Sequence, residues 1–118
     1  MLPSPNRLRN KSDFARVLKN GKSKNSRFLS LRFIGNDCPF SRLGLLVSKK
    51  AFKKANQRNR IKRKLREALR ANLSLIKPGQ DLIFIARGGL EKNTLKETEA
   101  TTFFLLEEAG LAKNNKQA

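Results

Sequence analysis

Hydrophobic residues along this chain change period several times, and each change marks an element. Phe14, Val17 and Leu18 fall at i, i+3 and i+4, one apolar stripe of a short helix running to about Asn20. Asn10 or Ser12 can cap it, Asp13 suits its first turn, and Gly21 stands where a left-handed C-terminal cap is wanted. Residues 27–34 (RFLSLRFI) then alternate. Leu29, Leu31 and Phe33 point one way, while Phe28, Ser30, Arg32 and Ile34 point the other. Residues 35–39 (GNDCP) are a turn by composition, and residues 41–48 place Leu43, Leu45 and Val47 on one face of a second strand. The two segments read as an antiparallel hairpin, with room for one more short strand around residues 23–26.

A helical period returns over residues 57–73, where Ile61, Leu65, Ala68 and Leu69 lie at i, i+4, i+7 and i+8. Pro78-Gly79 ends that region. Residues 81–86 (DLIFIA) are apolar on both faces, the mark of an interior strand covered on two sides. Thr94 and Glu97 have capping-box spacing for a last helix, with Phe103 and Leu106 on its inner side and Gly110 closing it. The fold class is therefore α/β, with a mixed sheet in the order α-β-β-α-β-α. One domain is expected over residues 1–118, flanked by an irregular basic arm (1–9) and a frayed tail (113–118).

Charge adds a partner to this picture. The 118 residues hold 27 Lys and Arg against 9 Asp and Glu, a formal charge of +18. The imbalance is local: residues 1–72 hold 21 basic and 3 acidic side chains, and residues 73–118 hold 6 of each. Such self-repulsion calls for a polyanion, nucleic acid before an anionic membrane. With no histidine and the single Cys38, the usual zinc constellations, the commonest general base and an internal disulfide are all absent. Asp13, Asp37 and Glu67 are scattered along the chain and make no two-carboxylate metal site. No catalytic residue and no metal ligand are therefore expected in the protein. No apolar run approaches 18 residues, so no membrane association is expected, and the cytoplasm is the expected location.

Residues 49–70 (KKAFKKANQRNRIKRKLREALR) contain eleven Lys/Arg and one acid, Glu67. At 100° per residue, Asn59, Lys62, Arg63, Arg66 and Arg70 cover the side opposite Ile61, Leu65 and Leu69. The helix can bury one flank and present a cationic one. Arginine suits phosphate because its planar fork makes two aligned, charge-assisted bonds. Asn59 can both donate and accept at a base edge or a 2′-hydroxyl. A face that served only solubility would mix signs, which this one does not.

Residues 58–63 (RNRIKR), with Arg66 one turn on, resemble the signature helix of the bacterial ribonuclease P protein family. Residues 11–21 (KSDFARVLKNG) resemble that family's first helix, residues 41–50 (SRLGLLVSKK) its strand before the signature, and residues 81–87 (DLIFIAR) its buried strand. The resemblance implies an α/β sandwich with a left-handed β-α-β crossover, against the general preference. It implies a subunit, one protein per RNA, of an RNA-based endoribonuclease that removes the 5′ leader of precursor tRNA. Catalysis would lie in the RNA. The holoenzyme would require Mg2+, and the protein alone would bind no cofactor. By matching position, Arg58, Asn59, Arg60, Lys62, Arg63 and Arg66 would contact the catalytic RNA. Phe14, Leu18, Leu29, Leu31, Lys49 and Lys50 would belong to a cleft for the single-stranded leader, between the first helix and the sheet. Phe14 beside Val17 and Leu18 also reads as plain core.

Two other readings share the charge and size. A ribosomal-protein-like module would recover ribosomal RNA from cells rather than one catalytic RNA. A DNA-binding helix protein would need a second positioning helix or a dimer seam, and the sequence offers neither.

Overall fold

The computed structural model describes residues 6–113. Helix α1 (Lys11–Asn20) is followed by strands β1 (Lys22–Asn25), β2 (Leu29–Gly35) and β3 (Arg42–Leu46). Helix α2 (Ala55–Asn72) and a 3-10 turn at Leu73–Leu75 lead to β4 (Gln80–Ala86). A second 3-10 turn at Leu90–Lys92 and helix α3 (Leu95–Glu108) complete the described chain. The extra short strand anticipated near residue 23 is β1, an exposed edge strand carrying Lys22 and Lys24.

The expected hairpin does not form. The sheet order is β1-β2-β4-β3, so β4 lies between β2 and β3, antiparallel to the first and parallel to the second. The reason is burial. Leu82, Ile83 and Phe84 are consecutive and fully buried, which only a central strand with both faces covered can provide. Residues 36–41 therefore bridge across a strand instead of turning back on one.

Two layers of helix cover the sheet. On one face Leu29, Leu31 and Phe33 of β2, Leu43 of β3 and Leu82 and Phe84 of β4 pack with Ile61, Leu65 and Leu69 of α2 and Leu105 and Leu106 of α3. On the other, Leu8, Val17 and Ile83 form a small cluster with half-buried Phe14, Leu18, Ile34, Leu46 and Ile85. The α2 stripe is as periodicity requires, with Ile61, Leu65, Ala68 and Leu69 buried. Asn72 Nδ2 at its end donates to the Ala68 and Glu99 carbonyls, tying α2 to α3.

The ends of α1 and α3 follow local chemistry, with Gly21 the exception. Asn10 caps α1 by accepting from the Ser12 N–H. Thr94 and Glu97 form the reciprocal capping box of α3, and Gly110 takes the positive φ of 74° that ends it. Gly21 is not left-handed (φ −73°, ψ 156°). It is glycine because a Cβ there would collide with the carbonyl oxygens of Val17 and Phe33. On α3 the inner side is Thr98, Thr102, Leu105 and Leu106; Phe103 is only half-buried and Phe104 is exposed. Of the expected basic arm, residues 1–5 lie outside the described residues. Arg7 bridges to Leu43 and the Leu8 N–H donates to the Leu43 carbonyl, so the segment adds to the outer edge of β3. Most of the expected tail, residues 114–118, also lies outside the described residues.

Leu65→Ala empties a fully buried site and should cost about 2–5 kcal/mol in urea unfolding. Gly21→Ala should cost about 1–3 kcal/mol through overpacking against backbone, whereas a merely flexible glycine would gain stability on the same change.

Candidate nucleic-acid interface

The outward side of α2 carries Asn59, Arg63, Arg66 and Arg70 at i, i+4, i+7 and i+11, all exposed. Arg60, also exposed, lies on a flank of that side, and Lys62 is half-buried on the other. Only Glu67 interrupts the field, 3.7 Å from Arg70 in an exposed pair that is worth little. No side chain caps the α2 N-terminus at Lys54, and no acid sits in its first turn. The positive end of the helix dipole thus adds to Lys53 and Lys54 instead of being neutralised.

Two basic residues of this helix are occupied by the fold. Arg58 is half-buried, and its Nη1 donates to the Phe52 and Lys53 carbonyls at 2.9 Å each. It holds the segment entering α2 while Phe52 fills the core. Lys64 Nζ donates to the Leu90 and Asn93 carbonyls at 2.7 and 2.8 Å, bracing the turn before α3. Burial lowers its pKa, against the pull of Glu91 and Glu97.

Lys49 and Lys50 stand exposed on the turn that leaves β3. The turn is fixed by the Ala51 N–H donating to Ser48 Oγ and the Phe52 N–H donating to the Ser48 carbonyl. Phe14 is half-buried on α1, its ring against the backbone of Gly44, where a Cβ would strike it. It has both proposed characters, packed on one side and open on the other. A groove of about 390 Å³ runs beside it, lined among others by Arg7, Arg9, Gly44, Lys62 and Arg66. A second hollow lies between Leu8, Arg9, Phe14 and Leu18. The flank of α2 and the α1 side of the sheet therefore meet at the β3 edge.

Leu29 and Leu31 do not belong to this cleft. Both are completely buried on the opposite face, in the core shared with α2 and α3. The β2 residues that face α1 are Ser30, Arg32 and Ile34: Arg32 Nη2 donates to the Leu18 carbonyl at 2.6 Å, and Ile34 packs in the α1 cluster. Sequence reasoning had the alternation right and its assignment to faces reversed.

It also missed the polar groups that seat α1. Asp81 is fully buried and accepts from Arg42 Nε and Nη2 at 2.8 and 2.7 Å, Asn36 Nδ2 at 2.8 Å and Arg16 Nη2 at 3.3 Å. Arg42 Nη1 also donates to Asp13 at 3.2 Å. The hydrogen bonding to Asp81 raises the Arg42 pKa above its ordinary value. Asp81 at the start of an apolar strand was a legible signal, since a carboxylate there must find cations. Beyond the far end of the same strand, Arg87 Nη1 donates to Ser30 Oγ at 3.1 Å, another cation the sequence reading did not single out. No helix among the described residues is long and apolar enough to cross a membrane.

A family model described as Ribonuclease P matches residues 2–110. A ribonuclease P protein component of Clostridium botulinum (strain Loch Maree / Type A3) is 40% identical over 107 residues, covering 90% of this chain and 96% of the relative. Among solved structures, the RNase P protein of Staphylococcus aureus superposes with a TM-score of 0.79 at 32% identity, over 90% of this chain and 96% of that one. The RNase P protein of Thermotoga maritima gives a TM-score of 0.77 at 33% identity, over 86% and 96%.

Arg58→Ala should lower stability by about 1–2 kcal/mol through its lost carbonyl contacts, while Arg63→Ala, which no folded partner holds, should leave the unfolding midpoint unchanged. Thermal denaturation of the two variants checks the division.

Proposed function

The chain belongs to the ribonuclease P protein family, and on that premise we propose that it binds a catalytic RNA through α2 and the 5′ leader of precursor tRNA through the α1 side of the sheet. The observation that carries the reading is the stripe of Asn59, Arg63, Arg66 and Arg70, exposed along a helix whose other flank is core. Arginine forks at helical spacing suit the phosphates of a folded RNA. Asn59 supplies the mixed donor and acceptor that cations lack.

A single-stranded leader asks for something different, an apolar or stacking floor with cations alongside. Phe14 and Leu18 on α1 supply the floor, and Lys49 and Lys50 stand at the end of β3. Leu29 and Leu31 are excluded because they are buried on the opposite face of the sheet, and Arg32, which faces α1, is held by the Leu18 carbonyl. Lys62, on the flank toward the groove, would serve the leader as readily as the catalytic RNA.

In this reading the protein positions and neutralises, and the RNA does the chemistry. Among the described residues no three His, Cys, Asp or Glu side chains come together to hold a metal. In this reading the Mg2+ that the holoenzyme requires would be held by the RNA and its phosphates. The reaction is endonucleolytic removal of the leader to give the mature tRNA 5′ end, with one protein per RNA in the cytoplasm.

Arg60→Ala and Arg63→Ala should each weaken binding to the catalytic RNA by about 1–3 kcal/mol, the scale of a charge-assisted contact. Filter binding at several salt concentrations measures this, and normal binding by both variants would remove α2 as the docking face. Phe14→Ala and Lys50→Ala should weaken holoenzyme binding of precursor tRNA by about 1–3 kcal/mol for a lost stack and leave mature tRNA nearly unaffected. The lysine variant should also flatten the salt dependence by about 0.7 per phosphate contact. Equal losses for precursor and mature tRNA, with circular dichroism unchanged, would eliminate the leader cleft.

A further inference from the structure

Helix α1 is attached to the sheet by little apolar burial. Val17 is its one fully buried residue, whereas α2 buries Ile61, Leu65, Ala68 and Leu69. Phe14 and Leu18 add half-buried apolar contacts, and the polar part of the attachment sits at both ends of the helix. In its first half, Asp13 accepts from Arg42 at 3.2 Å and Arg16 donates to Asp81 at 3.3 Å and to the Gly35 carbonyl at 3.4 Å. At its C-terminus, Arg32 donates to the Leu18 and Gly21 carbonyls at 2.6 and 3.2 Å. Phe14 lies within the first strap, between Asp13 and Arg16, and Leu18 belongs to the second.

We propose that the Asp81 cluster, with Asp13, Arg16 and Arg42, is a positioning device that sets α1, and with it the Phe14 ring, at the spacing over β3 that admits a single-stranded RNA base. The inference rests on the leader-cleft reading above. A buried ion cluster adds little net stability over apolar packing of the same volume, so stability alone does not account for one here. Its bonds are directional, however. Arg42 meets both oxygens of Asp81 and reaches Asp13 with its remaining nitrogen, so a carboxylate fixed in β4 dictates where the first turn of α1 can lie. Arg16 closes the loop back from the second turn. Gly44 admits the ring against the strand without a side chain between, and base–aromatic contacts are sensitive to displacements of the ring.

The decisive variant is Asp13→Asn, because two explanations predict opposite signs. If Asp13 merely repels phosphate, neutralising it should tighten binding of every RNA. If it is part of the strap, holoenzyme affinity for precursor tRNA should fall about tenfold, the size of one lost base–aromatic stack, with mature tRNA affinity and catalytic-RNA affinity unchanged. Arg16→Gln should do the same and Arg16→Lys should largely restore binding. Hydrogen exchange on the full-length protein should show faster exchange confined to the α1 amides, with β2 and β4 still protected, which also verifies that the sheet is folded. Phe14→Ala is run in parallel. Selective loss in Phe14→Ala with none in Asp13→Asn and Arg16→Gln would overturn the positioning role and leave the cleft standing. No selective loss in any of the three would overturn both.

Discussion

Both faces of β4 must be covered, and the remaining architecture follows from that requirement. Leu82, Ile83 and Phe84 leave no side of the strand that can meet water. One side takes α2 and α3, the other takes α1 and the segment around Leu8. Once α2 is committed by its Ile61–Leu65–Leu69 stripe, its basic residues have nowhere to go except outward or along its flanks. The cationic surface is thus a consequence of how the core closes. Asp81 is the exception within β4, a charge at the strand's first turn that would be intolerable without Arg42, Asn36 and Arg16. Removing Arg42, which meets both oxygens of Asp81, would leave the buried charge uncompensated, a cost of about 3–5 kcal/mol.

The two faces differ in how completely they are sealed. Against α2 and α3 the sheet contributes residues that are almost all fully buried. Against α1 it contributes one fully buried residue, Ile83, and three left partly open, Ile34, Leu46 and Ile85. Regions with few buried apolar contacts open most readily and are where binding surfaces are drawn from. The fold therefore keeps its stability on one side of the sheet and its adaptable surface on the other. The charge at +18 sharpens the division, because like charges spread over one small domain raise its energy until a polyanion arrives.

Much of this was legible from residue spacing. The α2 stripe, the α3 capping box and the interior character of residues 81–86 are local patterns, and local physics decides them. The hairpin failed because strand pairing is not local: alternation cannot say whether β2 meets β3 or whether a later, more apolar strand inserts between them. The same gap misplaced Leu29 and Leu31. A period of two groups them with Phe33 but cannot assign that group to the α1 or the α2 layer. Gly21 looked like a left-handed cap because helix ends commonly need one; the true constraint is the approach of the Phe33 backbone, which only tertiary structure reveals. Arg58 and Lys64 read as RNA ligands or bystanders for a similar reason. In a run of eleven cations no spacing rule marks the two that bond to carbonyls.

The β3 edge shows why the two proposed RNA surfaces are better regarded as one. An edge strand normally exposes unpaired backbone and needs protection. Here the protection comes from Arg7 and Leu8, whose backbone joins Leu43, and it places their side chains beside Phe14 on one side and Lys62 and Arg66 on the other. The outward flank of α2 and the α1 side of the sheet therefore share a wall. Lys62 and Arg66 reach the groove from α2, and Phe14 reaches it from α1, across a strand that contributes Gly44 with no side chain to obstruct the passage. A single-stranded segment lying over Phe14 would pass within reach of the α2 cations Lys62 and Arg66. Under the proposed function that arrangement would hold substrate leader and catalytic RNA in register without a separate linking domain, since the edge that the fold had to protect already joins the two surfaces.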